Sequence, residues 1–115
     1  MSAPRLKTEI WVHAHLRRCM GEGAYALIAR RGDPDAGAVA VKVYLGQRQA
    51  HLFVQSRDLD GNSIWRDPLA PDDQDQHAHG ESEIDAWLEK EISIDPDLWI
   101  IEIEDKNGRA FLDDI

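Results

Sequence analysis

The 115-residue chain has only one cysteine and lacks any long apolar run. Because Cys19 has no second thiol to pair with, an internal disulfide is excluded, and a reducing compartment is the simplest expectation. No stretch approaches the roughly 20 apolar residues that a membrane span requires. The basic N-terminus is not followed by the apolar segment of a signal peptide. The sequence therefore predicts a cytoplasmic protein that does not associate with a membrane.

Basic residues are scarce as well: 13 Lys and Arg stand against 22 Asp and Glu, which gives a net charge of −9. This balance, without interleaved aromatic and basic residues, argues against nucleic-acid binding. The charge is unevenly distributed, since eight of the Lys and Arg but only four of the acids lie in residues 1–50. Such a split indicates either a positive surface for an anion or two halves that pair within one domain.

An apolar content of 43% over this length predicts a single globular domain, residues 1–115, with its own core. Periodicity predicts a helix that Thr8 caps and that runs to about Met20, and a second helix that Ser82 caps. Strands are expected at 24–30, 38–45, 51–57, 63–67, 98–104 and 110–113. The order α-β-β-β-β-α-β-β predicts an α+β fold, a largely antiparallel meander sheet with two helices packed on it. Residues 67–81 are expected to form a polar acidic loop.

The segment RRGDPDAG at residues 30–37 looks like a ligand-binding loop, but its residues predict a hairpin turn. Asp33 can accept backbone hydrogen bonds, Pro34 presets the next φ, and Gly37 supplies a permissive angle before the following strand. A phosphate-binding P-loop requires Lys and a hydroxyl residue after the second glycine, followed by a helix. Apolar strand residues follow here instead, so no phosphate site is predicted.

Two histidines in the acidic loop, His77 and His79, could hold a divalent metal with Asp72, Asp73 or Asp75 as oxygen ligands. No cysteine or third histidine is nearby, and ordering a flexible loop costs entropy. A solvated loop is therefore the expected arrangement, and no cofactor is predicted.

His15 and Cys19 lie four residues apart on the first predicted helix, so their side chains can meet, as a Cys–His nucleophile pair would require. Both fall on the apolar stripe of that helix, which predicts two core residues rather than an accessible thiolate.

Glu102 and Glu104 share one face of a predicted strand, at a spacing compatible with a general acid and a general base. A strand face paired with Lys42 or Arg109 across the sheet has the same pattern. Because no nucleophile or cleft accompanies the two carboxylates, the sequence favours a structural role and no enzymatic activity.

Four arginines form the candidate anion site. Arg17 and Arg18 end the first helix, where cations also suit the negative end of the helix dipole. Arg30 and Arg31 end a strand. If the two pairs converge in space, they would border a pocket for a carboxylate, a phosphate or an acidic peptide.

Trp65 is the candidate interface residue, because it lies on a short strand that precedes a polar loop. Trp11, Trp87 and Trp99 occupy apolar faces and are expected in the core.

Three segments carry a resemblance to a known family: RLKTEIWVHAHLRRC at 5–19, RRGDPDAGAVAVKV at 30–43 and DPDLWIIEIEDKNGRAFL at 95–112. Over nearly its full length the chain resembles the alphaproteobacterial family catalogued as domain of unknown function 1491. The resemblance implies a stand-alone cytoplasmic protein of that bacterial class, and it transfers no activity, cofactor or catalytic residue.

Together these features lead us to expect a non-enzymatic protein-binding or adaptor domain. Its edge strands could pair with an unidentified protein partner or with a second copy as a homodimer. The alternative is a small enzyme or binding protein that holds an anionic metabolite with the arginine cluster.

Overall fold

A computed structural model of the protein describes residues 6–70 and 78–112. Helices α1 (Thr8–Gly21) and α2 (Glu81–Ile94) pack on opposite faces of one six-stranded sheet. The strands are β1 (Tyr25–Arg30), β2 (Val39–Gly46), β3 (Gln49–Arg57), β4 (Ser63–Arg66), β5 (His79–Gly80) and β6 (Trp99–Glu104). Within the described residues, neither helix is long and apolar enough to cross a bilayer.

The sheet is mostly antiparallel, and its strand order is β1-β6-β2-β3-β4, with β5 paired to β3. One pairing, between β2 and β6, is parallel. The α+β class predicted from the sequence is confirmed. The predicted hairpin between β1 and β2 is wrong, because β6 lies between these two strands. The side chains of β6 are apolar and buried on both faces over Trp99–Ile101, which suits a central position in a sheet.

Alternation along the strands produces two separate apolar cores. The core under α1 contains Val12, Leu16 and Cys19 of the helix, together with Val41 and Ile101 of the central strands. The core under α2 is built on the strand residues that alternate with these and point to the other face of the sheet. It comprises Ala40, Ala50, Leu52, Ile84, Leu88, Leu98 and Ile100. The two-residue period of β2 and the 3.6-residue period of the helices therefore place the apolar side chains in these two cores.

The loop at residues 30–37 turns the chain as predicted, but it joins strands that are not neighbours. The Asp33 carboxylate accepts hydrogen bonds from the backbone N–H groups of Asp35 and Ala36, as an Asx turn requires. The φ of Gly37 is not positive, so the predicted role of its permissive angle is wrong. A Cβ at Gly37 would instead lie 2.3 Å from the Asp97 carbonyl oxygen. Glycine is required here because two backbone segments approach closely.

Several element ends differ from the sequence prediction. Lys7 rather than Thr8 is the N-cap of α1, and the Thr8 hydroxyl donates to the Gly37 carbonyl at 2.9 Å. Helix α2 begins at Glu81 after Gly80, so the predicted Ser82 cap is wrong. The two-residue β5 lies inside the predicted loop.

The predicted last strand is also wrong as far as it can be followed, because residues 110–112 form no strand. Phe111 has a φ of 59°, a left-handed conformation that interrupts an extended chain. Ala110 and Leu112 pack instead into the core under α1.

Candidate functional site

The four candidate arginines lie near opposite ends of α1. Arg17 and Arg18 are exposed in its C-terminal part, and the Arg18 guanidinium donates to the Phe111 carbonyl at 3.2 Å. Arg31 pairs with Glu9 in the first turn of α1 and lies 5.2 Å above the Trp99 ring. Glu9 and Arg18 are nine positions apart along the helix, about 13.5 Å.

Arg30 forms hydrogen bonds with the turn before β6. Its Nη1 donates to the carbonyl oxygens of Pro96 at 3.0 Å and Leu98 at 2.8 Å. The two arginine pairs therefore do not meet on one concave surface, and three of the four side chains contact groups of the protein itself.

His79, one of the two candidate metal ligands, is buried and contacts a buried carboxylate. Its Nε2 lies 2.7 Å from an Asp67 carboxylate oxygen, and its Nδ1 lies 3.4 Å from Glu83. The Asp67–His79 contact joins the two ends of the acidic loop. No group of three metal-binding side chains occurs within residues 6–70 and 78–112. His77 lies outside the described residues.

The predicted core positions of His15 and Cys19 are confirmed. Both side chains are buried under α1, and a His15 ring nitrogen lies 2.9 Å from the Ala110 carbonyl oxygen. Burial raises the pKa of the Cys19 thiol to about 11, so the thiolate that a nucleophile needs is disfavoured.

Glu102 lies beside a buried cation, as one of the two sequence interpretations expected. Lys42 is opposite Glu102 in the ladder, and its Nζ lies 4.0 Å from that carboxylate. The same Nζ contacts Glu81 at 2.8 Å and Asp85 at 2.9 Å, so Lys42 fixes α2 to the sheet. Burial alone would lower the pKa of Lys42, but the hydrogen bonds to Glu81 and Asp85 outweigh it and raise the pKa. Glu104 is exposed.

Trp65, the candidate interface residue, is half-buried on edge strand β4 and packs against the core under α1. Its ring stacks on that of Trp11, with centroids 5.7 Å apart. Trp11 in turn stacks on His15 at 4.8 Å. A continuous row of three stacked rings therefore runs from edge strand β4 to the buried side of α1.

A groove of about 430 Å³ opens beside this row, and we call it the Trp11 groove. Its lining residues come from the start of α1, the loop before β2 and the adjoining ends of β3 and β4. They are Leu6, Thr8, Trp11, Asp35, Ala36, Gly37, Ala38, Val39, Gln55, Ser56, Arg57 and Ser63. A second cavity of about 250 Å³ shares Ala38, Val39, Gln55 and Ser56 and lies toward α2.

The Trp11 groove exists because β3 is longer than β2 at this end. The β2–β3 ladder stops at the pair Ala40 and Val54, whereas β3 continues to Arg57. The Val39 N–H donates to the Gln55 side-chain oxygen at 2.8 Å instead of to a strand partner. Among the described residues, the last three residues of β3 are paired only with β4.

Charged groups at the rim complete the groove. Arg57 is exposed, and its Nη1 donates to the Gly61 carbonyl at 2.8 Å. A guanidinium has five N–H donors, so Arg57 retains donors for an acceptor in the groove. On the opposite wall, Asp35 lies 3.7 Å from Lys7. The groove thus combines an aromatic surface, a strand end and charged groups of both signs.

The sequence interpretation missed the groove-lining residues Gln55, Arg57 and Ser63. Gln55 and Arg57 are polar and continue the strand face on which Phe53 is buried, but Gln49 and His51 on the same face are polar as well. The strand pattern therefore does not mark where the cover of α1 ends.

This α+β arrangement, an open mixed sheet with one helix on each face, is also that of solved relatives. A crystal structure of a DUF1491 family protein from Caulobacter crescentus CB15 is 40% identical and covers 96% of this chain and 97% of that chain, with a TM-score of 0.84. The NMR structure of a DUF1491 family protein from the same organism is 40% identical over 97% and 96% of the chains, with a TM-score of 0.78. Protein Atu0922 from A. tumefaciens is 29% identical over 89% and 87%, with a TM-score of 0.70.

The family model described as "Protein of unknown function (DUF1491)" matches residues 6–113. The chain therefore belongs to this family, and the resemblance seen in the three sequence segments is confirmed. A search of curated proteins gives no match.

Proposed function

We propose that this protein is a non-enzymatic protein-binding domain and that the Trp11 groove takes an extended segment of a partner protein. The observation that carries the proposal is the end of β3. There Gln55–Arg57 continue past the last β2 pair and line an open groove. An added strand can hydrogen-bond to such a main chain and place alternate side chains in the groove.

The walls of the groove favour a partner segment with a large apolar residue next to an acidic one. Trp11 and Leu6 offer an apolar surface, and Leu6 is 59% exposed. The Arg57 guanidinium can accept a carboxylate in a bidentate contact. Trp65 supports the site by stacking on Trp11, so the row of rings stays in place when the segment binds.

The positions of the other polar groups support binding rather than catalysis. Lys42 is surrounded by three carboxylates that it holds against the sheet. The candidate nucleophile Cys19 is buried with a raised pKa. The separation of the arginine pairs likewise gives no support to a shared metabolite site at Arg17, Arg18, Arg30 and Arg31.

A charge-reversal comparison in the native host tests the proposal. A photo-crosslinking amino acid at Ser63 is expected to form an adduct with one stoichiometric partner, and the same group at Ser93 on α2 is not. Arg57→Glu should reduce the adduct at least tenfold, a loss of about 1.4 kcal/mol in binding free energy. The matched control Arg17→Glu should leave it unchanged.

Equal adducts from both positions, or a loss with Arg17→Glu alone, would contradict a site in the Trp11 groove. A rise in melting temperature with an anionic metabolite, abolished by Arg18→Ala or Arg31→Ala, would favour the metabolite-binding alternative instead.

A further inference from the structure

A second surface, at the opposite edge of the sheet from β4, is independent of the Trp11 groove. Strand β1 is paired only with β6 within the described residues, so its other side presents unpaired backbone. Tyr25 is 60% exposed and Leu27 is 38% exposed. Both lie on the α2 face of the sheet, at a part that helix α2 does not cover. Edge strands of soluble proteins usually carry charges or prolines that block further pairing. Residues Tyr25–Ala29 have neither.

We infer that β1 pairs antiparallel with β1 of a second copy of this chain, centred on Ala26. The register of β1 and β6 shifts between Ile28 and Arg30, so a bulge bends the strand at its C-terminal end. The straight part of β1 is therefore Tyr25–Ile28, and Ala26 lies between its two exposed apolar residues, Tyr25 and Leu27. A two-fold axis at this position makes the contact self-complementary.

Side-chain sizes fit this register. Residues directly opposite each other in an antiparallel pair lie on the same face of the sheet. With Ala26 at the centre, Tyr25 of each copy lies opposite Leu27 of the other, so the two exposed apolar side chains cover each other twice. On the α1 face, Ile28 lies opposite Ala24, the small residue that precedes β1.

Charge fits as well. The β1 neighbours on the uncovered face are Glu102 and Glu104, which lie opposite Leu27 and Tyr25 in the β1–β6 ladder. In the dimer, the two β1 strands lie between the β6 strands of the two copies. The acidic residues on β6 of one copy therefore lie three strand spacings from those of the other. This is about 14 Å, more than the Debye length of about 8 Å at physiological salt. Because each copy carries −9, the association should strengthen as salt is added.

One six-residue edge buries less surface than a permanent dimer, so a concentration-dependent dimer is expected. Sedimentation velocity from about 10 µM to about 1 mM covers the range of such affinities. The wild type should move from monomer to dimer over this range. Leu27→Lys should remain a monomer, because it places a charge on the edge. The control Ile94→Lys, which changes a more exposed apolar residue on α2, should associate like the wild type.

Cross-linking tests the register. When Tyr25→Cys and Leu27→Cys proteins are mixed under mild oxidation, the disulfide dimer should form at least fivefold faster than in either protein alone, since only opposite residues come close enough. Gln47→Cys, on an exposed turn, measures random collisions. Native Cys19 is buried and does not interfere.

A wild type that stays monomeric at about 1 mM would overturn the inference. So would a dimer that Leu27→Lys leaves intact, or a mixed cross-linking rate no higher than that of Gln47→Cys.

Discussion

Replacement of Gly32 or Gly37 by alanine should lower the free energy of unfolding far more than the addition of one methyl group suggests. A Cβ at Gly32 would lie 2.1 Å from the Asp97 carbonyl oxygen and 2.7 Å from Cδ1 of Trp99. A Cβ at Gly37 would lie 2.3 Å from the same oxygen. A Cβ atom essentially never lies within 3.0 Å of another heavy atom that is not bonded to its residue, so the loop must move by most of an ångström in either variant.

That movement disturbs two hydrogen bonds that hold the loop against β6. The Asp33 N–H donates to the Asp97 carbonyl at 3.0 Å, and Trp99 Nε1 donates to the Asp33 carbonyl at 2.7 Å. Overpacking costs about 1–3 kcal/mol, and a weakened hydrogen bond adds about 1 kcal/mol. We therefore expect each variant to lose about 2–4 kcal/mol in the free energy of unfolding.

Urea denaturation followed by tryptophan fluorescence measures this loss. Gly21→Ala is the matched control, because it lies in α1 with no atom within 4 Å of the added Cβ. Alanine is favoured over glycine in a helix, so this variant should be unchanged or stabilised by up to about 1 kcal/mol. If Gly32→Ala and Gly37→Ala unfold within about 0.5 kcal/mol of the wild type, the close approach of the loop to β6 is wrong.

Three further experiments test other parts of the structure. Lys42→Met should lower the free energy of unfolding by about 2 kcal/mol, because it leaves three carboxylates without their buried cation. Since the pKa of Lys42 is raised above its ordinary 10.5, its contribution is complete below that pH and is lost at higher pH. The difference from wild type in urea denaturation should therefore shrink above pH 10.5. Gln47→Asn combined with Arg48→Gly should stabilise by about 1 kcal/mol in the same assay, because φ is 54° and 61° at these positions; a loss of stability would contradict a left-handed turn. Cys19 should react with iodoacetamide at pH 8 only after denaturation, because its pKa is about 11; rapid labelling of the native protein would contradict its burial.

The elements that could be predicted from the sequence are those whose own side chains define them. In β2, Val39, Val41 and Val43 alternate with Ala40 and Lys42, and both sets are buried as the strand pattern requires. The apolar stripe of α1 likewise appears where its period places it. The period of the apolar residues shows which side chains of an element face the core. It does not depend on which strand lies next to that element.

The strand order could not be read in the same way. Short connections favour neighbouring strands, and β1 and β2 depart from this tendency because β6 is inserted between them. The apolar residues Leu98–Ile101 fit a central strand, but they do not say which strands flank it. The two-residue β5 is too short for any pattern, since it forms through pairing with Gln49 and Ala50 alone.

The Trp11 groove depends on tertiary structure for the same reason. Its shape follows from where β2 starts relative to the end of β3, and from how far α1 reaches over the sheet. No local sequence signal encodes either length difference. Trp65 was identified from its place on a short strand before a polar loop, whereas its stacking on Trp11 becomes visible only when the two elements are packed.

Amide hydrogen exchange of the protein with and without its cross-linked partner tests the proposed binding site most directly. If an extended segment occupies the Trp11 groove, the amides of Gln55–Arg57 and of the Leu6–Trp11 segment should gain protection, while those of α2 keep their exchange rates. Protection confined to α2 or to the C-terminal turn of α1, with the end of β3 unchanged, would contradict the proposed site.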